Sequence, residues 1–514
     1  MNHQHTSPLS RTDFLIALFI GIAALVLYIR TLAPSLLWGD SAEFQTLSYT
    51  LGMTHPSGYM TQIILGKLFT YIPVGNIAYR VNLMSAFFGA LAVAETYLIV
   101  RLLGGWRIAA ISASILLTLT EGFWWRALLA ESYAPAAGVL AAIWLLVLLW
   151  RNTGKWIYLF LAGLAGGLSV GIHSTVVMTA SSVLVFMALT TCKRSDWFAA
   201  ATGALLGLAL TFSFFLYLDH NDPPSSIYNT VYRINLSAFG LSADQFDTPA
   251  KRFLAIFPAN HFWSYYFTAS SEEIRRRLVE YFSYFPLWGI ILAVLGALVL
   301  LRERQIEGSY PLTAFLIIWG FAITVSFSVY REFYVPLAVI ISVWFGIGAN
   351  KLLTAIARLP LQNQSIIKIM QSAFMILLVI LPIWNSRNDL IQSIKSGYPL
   401  FVRRDHIYPV FAPNKAINDA QKIIAHIEEN AIIFADWDKL YSYIYTAQIE
   451  DGKTGISFHE AWSTEEEKLA DSAIAYIDQN LEKRPIYFTV NMPELTQYYR
   501  VEKIDDTLYR IYRK

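Results

Sequence analysis

Three residues in one short stretch have the types and spacing to do acid–base chemistry. They are Asp40, Glu43 and His55, within WGDSAEFQTLSYTLGMTHPSGY, residues 38–59. Two carboxylates three positions apart share one face of a helix. One of them can then act as a general base on a hydroxyl proton while the other orients it or serves as a second carboxylate. The same spacing also suits a capping box, with Asp40 capping the helix and Glu43 reaching back from its third position. Spacing alone leaves both open.

The elements that must position this stretch are apolar. The chain of 514 residues is 55% hydrophobic and only 15% charged, against about 25% charged in soluble domains, so a polytopic membrane protein is expected. A net charge of +2 gives no reason to expect a nucleic acid partner. One cysteine, Cys192, excludes an intramolecular disulfide framework and a multi-cysteine metal site. Apolar runs lie at 14–29, 83–103, 108–121, 134–150, 156–172, 174–191, 198–218, 284–301, 311–329, 334–350 and 366–384. A span needs roughly 17–25 residues, so about eleven transmembrane helices are expected, with 108–121 the shortest. No A-x-A cleavage site follows 14–29, so this run is expected as a retained helix.

With the N-terminus placed in the cytoplasm, the loops assigned inside carry Arg101, Arg107, Arg151, Lys155, Lys193, Arg194, Arg302, Arg304, Lys351, Arg358 and Lys368. The loops assigned outside carry Asp40, Glu43, Glu131, Asp219 and Asp222. This agrees with the positive-inside rule and puts the C-terminus outside the cytoplasm. The first external loop, 30–82, contains a mildly apolar run, 59–72, too short to span and suited to an interfacial helix. The second, 219–283, carries Arg275, Arg276 and Arg277 among aromatics, which suits a lipid phosphate, a glycan or simple interfacial anchoring. From about 385 onward the chain turns mixed in character. A helix at 415–430, a strand at 431–435, a helix at 464–483 opened by a capping box at 463–466, a strand at 485–490 and a closing hairpin are expected. Two domains follow: 1–384, transmembrane, and 385–514, a small extracytoplasmic α/β domain. Asp436-Trp437-Asp438 resembles a D-x-D motif, but one of its aspartates is expected to cap the helix that follows.

The motifs G-D-S-A-E, L-G-M-T-H-P-S-G-Y and Y-R-V-N-L-M-S-A, then F-W-W-R-A-L-L-A-E-S-Y-A (123–134) and G-L-S-V-G-I-H-S-T (167–175), resemble a family long described as a domain of unknown function. Its animal member is an endoplasmic-reticulum transmembrane protein O-mannosyltransferase. The resemblance covers roughly residues 30–190, with Ala42, Ser57 and Ile172 departing from the family pattern. That family in turn resembles the GT-C polytopic glycosyltransferases. The resemblance implies a mainly α membrane protein, a GT-C-like bundle that moves a hexose, mannose favoured, from a polyprenyl-phosphate donor. Transfer would invert the anomeric centre on the extracytoplasmic face, at the plasma membrane if the host is bacterial. The acceptor would be a hydroxyl on a protein, a glycan or a lipid.

The same resemblance makes Asp40 the catalytic base with Glu43 beside it. It makes Arg331, in Y-R-E-F-Y-V-P, the donor-phosphate ligand, a role suited to a planar guanidinium; the alternative for Arg331 is an interfacial anchor paired with Glu332. His55, Glu131, His173, Tyr133 and Trp125 are expected around the sugar or acceptor, with His55 shaping the loop and Trp125 free to stack on a pyranose. An aromatic belt would use the tryptophans equally well. No metal-ligand spacing is present and no cofactor is required; a carboxylate pair can hold Mg or Mn without the chemistry demanding it. The competing class is a non-catalytic flippase, transporter or glycan-binding membrane protein. Transport favours internal repeats and polar residues at the bilayer midplane, whereas here the ionisable residues gather at helix ends.

Overall fold

The computed structural model describes residues 9–257, 260–327, 330–397, 412, 414–461 and 468–514. They form two compact units, each assembled from three stretches of chain. One comprises Met1–Leu32, Ser85–Thr211 and Ser264–Arg404; the other comprises Ala33–Met84, Phe212–Trp263 and Asp405–Lys514.

Among the described residues, helix occupies most of each of the eleven apolar runs. Among the described residues seven helices are long and apolar enough to cross a membrane: Arg11–Arg30, Ile77–Leu102, Tyr133–Thr153, Arg194–Asn221, Gln305–Thr324, Tyr330–Ala357 and Gln364–Asn385. A further pair, Ser271–Tyr284 and Leu287–Glu303, is apolar enough only when taken together and is bent by 102° where Pro286 precedes the second helix. The other three, Arg107–Leu119, Trp156–Ser169 and Ser174–Leu189, are shorter. Burial is uneven. In the apolar part of Tyr330–Ala357 nearly every residue is buried, whereas in those of Gln364–Asn385 and Arg11–Arg30 about one in five is. The latter pair present Phe14, Leu18, Phe19, Ile369, Ile376 and Ile380 outward. Such apolar faces are stable against lipid and not against water, so the chain is a multi-pass membrane protein.

Small residues set the closest helix contacts in this first unit. A Cβ placed on Gly296 would lie 1.8 Å from the Trp344 carbonyl oxygen, and one on Gly348 would lie 1.9 Å from that of Leu292. Leu287–Glu303 and the long central helix therefore pack backbone on backbone, as membrane helices do where no hydrophobic effect drives them together. In the same unit the Asp13 carboxylate accepts from Arg101 Nε at 2.9 Å, Arg107 Nε at 3.0 Å and the Tyr97 hydroxyl at 3.1 Å. Ser10 and Asp13 form a capping box on the same helix. A carboxylate this buried persists because it is paired.

The second unit contains a five-stranded mixed sheet. Its strands are β1 (Ile432–Ala435), β2 (Ser457–Glu460), β3 (Ile486–Phe488), β4 (Arg500–Asp505) and β5 (Leu508–Tyr512), in the order β2-β1-β3-β5-β4. β1 lies parallel to β2 and β3, and β5 runs antiparallel to β3 and β4. Ile432, Phe434, Ile486, Phe488 and Ile511 form the core with Ala473 and Ile477 of the Asp471–Asn480 helix. The closing hairpin and the strands at 432–435 and 486–488 lie where the alternating pattern put them. β2 was not anticipated, because four residues, SFHE, carry too little alternation. The capping box expected at 463–466 lies outside the described residues.

The C-terminal segment does not close on itself. The helix Trp437–Ile444 packs on the helix Gly39–Thr50: Ser442 Oγ donates to the Leu37 carbonyl at 2.9 Å and Thr46 Oγ1 to that of Tyr441 at 3.3 Å. His459 on β2 stands 3.1 Å from the Asn229 carbonyl through Nδ1 and 3.3 Å from the Tyr476 hydroxyl through Nε2. A boundary at 384 marks where the composition changes, whereas the folded unit also takes in 33–84 and 212–263.

Burial depresses the His459 pKa to about 4, with its contact to the Asn229 carbonyl opposing only in part. The unfolded chain then binds a proton between pH 6.5 and 4 that the folded chain refuses. Stability is full above pH 6.5 and falls by about 3 kcal/mol as the pH drops through that window. Melting of the detergent-solubilised protein from pH 7 to 4 should show this loss, and His459→Gln should flatten the profile.

Candidate active site

Asp40, Glu43 and His55 come together in the second unit. The helix Gly39–Thr50 starts after Trp38 with no side-chain cap, at a Gly39 φ of +57° that any larger residue would find strained. Asp40 and Glu43 do not form a capping box. Glu43 turns inward instead and is fully buried. Its Oε1 accepts the His55 backbone N–H at 2.8 Å, and its Oε2 lies 2.5 Å from His55 Nδ1. Burial raises the Glu43 pKa, and the neighbouring imidazole pulls it back. With Nδ1 directed at a carboxylate, Nε2 is the ring nitrogen turned outward. It stands 4.0 Å from Asp40 Oδ2.

Asp40 is the exposed member, with 43% of its side chain accessible. Its Oδ1 accepts the indole N–H of Trp437 at 2.9 Å. The imidazole of His55 sits among Tyr59, with centroids 4.9 Å apart, Trp437 at 5.7 Å and Phe44 at 6.1 Å. The loop reaches this position through Gly58 at φ +89° and Tyr59 at φ +39°, after which the helix Met60–Thr70 begins. That helix occupies the run read as interfacial, 59–72.

Two residues of the same motifs are scaffold. Arg80 donates to the carbonyls of Thr70, Val74 and Gly75, closing the end of the Met60–Thr70 helix. Asn82 donates to the Ala33 carbonyl at 2.9 Å and accepts from Gln45 at 2.8 Å, while Gln45 accepts the Leu37 N–H at 3.0 Å. This network fixes the approach to the Gly39–Thr50 helix. Asp436 caps the Trp437–Ile444 helix, accepting from the Lys439 N–H at 3.1 Å, which is the role expected for one aspartate of the D-x-D pattern.

The remaining candidates lie in the first unit. Arg126 pairs with Glu332 and lies 3.9 Å from Glu131. Its guanidinium sits 5.6 Å from the Tyr133 ring centre. Tyr133 meets His173 at 4.9 Å, and His173 meets Phe333 at 5.6 Å. His173 is buried and caps the helix Ser174–Met178, its Nδ1 accepting from the Thr175 N–H at 3.2 Å. Arg331 is partly exposed and paired with Glu280 through Nε at 2.7 Å and Nη2 at 2.5 Å; the Tyr330 hydroxyl donates to the other oxygen of Glu280 at 2.6 Å. The expected alternative partner of Arg331, Glu332, serves Arg126 instead. Trp125 is 2% exposed, so it offers no open indole face to a pyranose, and a stacking role does not fit its position.

Sequence reading overlooked Trp437, Arg126 and Glu280. Arg126 had a signal, a cation inside the F-W-W-R-A-L-L-A-E motif five residues before Glu131. Trp437 had none, being 397 positions from its partner.

Residues 40–197 match the family model for the protein O-mannosyl-transferase TMEM260 N-terminal domain. Over 120 residues the chain is 35% identical to protein O-mannosyl-transferase TMEM260 of Mus musculus, and over 84 residues 32% identical to that of Dictyostelium discoideum. Those matches span 23% and 16% of this chain but only 17% and 10% of the two relatives, so the chain covers well under two thirds of their length. In fold the chain is similar to ArnT from Cupriavidus metallidurans, solved with undecaprenyl phosphate, at a TM-score of 0.56 and 12% identity over 98% of both chains. It is also similar to the oligosaccharyltransferase of Archaeoglobus fulgidus, at a TM-score of 0.53 and 13% identity over 93% of this chain and 68% of that one. Residues 40–197 are thus similar to the protein O-mannosyl-transferase TMEM260 N-terminal domain, and along nearly its whole length the chain shares the fold of ArnT.

Proposed function

We propose that this protein is a membrane glycosyltransferase that moves a hexose, with mannose favoured, from a polyprenyl-phosphate carrier to an acceptor hydroxyl on the extracytoplasmic face. The observation that carries this reading is the state of Asp40. It is a partly exposed carboxylate held on one oxygen by Trp437, with the buried Glu43–His55 pair directly behind it. Support also comes from the match of residues 40–197, which contain all three, to the protein O-mannosyl-transferase TMEM260 N-terminal domain. The undecaprenyl phosphate in the similar ArnT structure favours a lipid-linked donor.

In the proposed reaction Asp40 accepts the proton of the acceptor hydroxyl as its oxygen forms a bond to the anomeric carbon. The bond from that carbon to the phosphate oxygen breaks, and polyprenyl phosphate leaves with the electron pair. A single displacement of this kind inverts the anomeric centre. Glu43 holds the His55 tautomer and so keeps the imidazole turned toward Asp40. Arg331 is the ligand for the donor phosphate, where fixed charge-assisted donors stabilise the departing anion. Arg126, Glu131, Tyr133 and His173 form a paired cluster fit to line a polar sugar pocket. The acceptor is a protein serine or threonine, a glycan or a lipid.

The test is transfer by the purified protein from a panel of radiolabelled polyprenyl-phosphate sugars to cell-envelope acceptors. Asp40→Asn should lower the rate roughly 100- to 10,000-fold, the usual worth of a positioned base, while melting like the wild type. Arg331→Ala should chiefly raise the donor KM, by about tenfold or more, as expected from one lost charge-assisted contact. Donor translocation or binding with no transfer by either Asp40 form would favour a flippase.

A further inference from the structure

The C-terminal segment reaches Asp40 through the indole of Trp437. From this contact we infer that Trp437 is a positioning residue for Asp40, so that the catalytic base is completed by the far end of the chain. The inference rests on the transferase reading above and extends it to a residue that no motif of the first 200 residues contains.

The geometry is specific. An aspartate whose side chain is 43% accessible has two torsions that solvent leaves unconstrained, so nothing in its own helix keeps its carboxylate in one orientation. The Trp437 Nε1–H at 2.9 Å claims Oδ1. That leaves Oδ2 as the oxygen on the His55 side and the one placed to take a proton. The indole is aimed rather than merely present. Asp436 caps the helix at the preceding residue, and the ring stands edge-on to Tyr441 at 5.6 Å and to His55 at 5.7 Å. Ser442 and Tyr441, further along the same helix, bond to Leu37 and Thr46 on either side of Asp40 in sequence. Proximity and orientation of a base account for large parts of a rate, and a misplacement of about 1 Å can cost 100-fold.

Trp437→Phe keeps an aromatic ring, smaller than the indole, and removes the donor. It should lower kcat about tenfold with the donor KM within about twofold of wild type, because donor binding does not use this contact. A Trp437 that merely filled space would change melting and leave this split unmoved. The sharper readout is a double-mutant cycle with Asp40→Glu, whose longer side chain retains a base but cannot keep the indole contact. On that background Trp437→Phe should cost less than about twofold, since residues that act through one another are not additive. Trp437→Tyr, which returns a donor on a smaller ring, should recover part of the loss in a protein that melts like wild type. Wild-type kcat in Trp437→Phe, an equal loss on both backgrounds, or no recovery in a folded Trp437→Tyr would overturn the inference while leaving the transferase reading intact. A wild type inactive with every donor would overturn that reading, and this inference with it.

Discussion

The contact on which the rest of the site depends is the one between Glu43 and His55. Burying a lone carboxylate costs several kcal/mol even after relaxation, and Glu43 is fully enclosed. What offsets that cost is a single residue that supplies two donors, its backbone N–H to one oxygen and its ring nitrogen to the other. Because both bonds come from His55, they fix the loop and the imidazole together, and the loop cannot move without exposing an unpaired buried charge. Asp40 lies one turn earlier on the same helix. A rigid pair thus sits beneath a carboxylate that faces solvent, which is the division of labour a base requires: one group held, one group accessible.

A second constraint organises the helical unit. One set of its polar residues is chained: Arg126 to Glu332 and toward Glu131, then Tyr133, His173 and Phe333 in ring contact. Arg331, next to Glu332 in sequence, goes to Glu280 instead. Neighbouring residues of opposite charge are thereby committed to different partners, and each cation keeps a fixed direction. Where water is scarce, ionisable groups survive only in such pairings.

Much of this was legible because membranes impose long-period patterns. The eleven apolar runs, the short helix at Met60–Thr70 and the closing hairpin each follow from local composition, and each is where that composition places it. The role of Asp40 and Glu43 was legible only in part. Three-residue spacing fits a cap and an inward-turned carboxylate equally. What decides between them is His55, twelve residues on, past the left-handed turn at Leu51 that ends the helix. Trp125 misled because tryptophan near a helix end is equally at home at an interface, in a sugar site or in the interior, and burial chose the interior. Trp437 was invisible because a contact across nearly 400 positions has no local signature; its neighbour Asp436 announced a helix start and nothing about what the helix would touch. The C-terminal segment read as a separate domain for the same reason, since composition reports where the chain becomes polar and not which earlier segments it packs with.

The central claim is that Asp40 acts as a base in a single displacement, not as a nucleophile. The anomeric configuration of the product tests this most directly. With a polyprenyl-phosphate sugar of defined configuration, NMR of the isolated glycoside should show the opposite anomer at the new linkage. Retention of the donor configuration would exclude a single in-line displacement, and it would contradict the account.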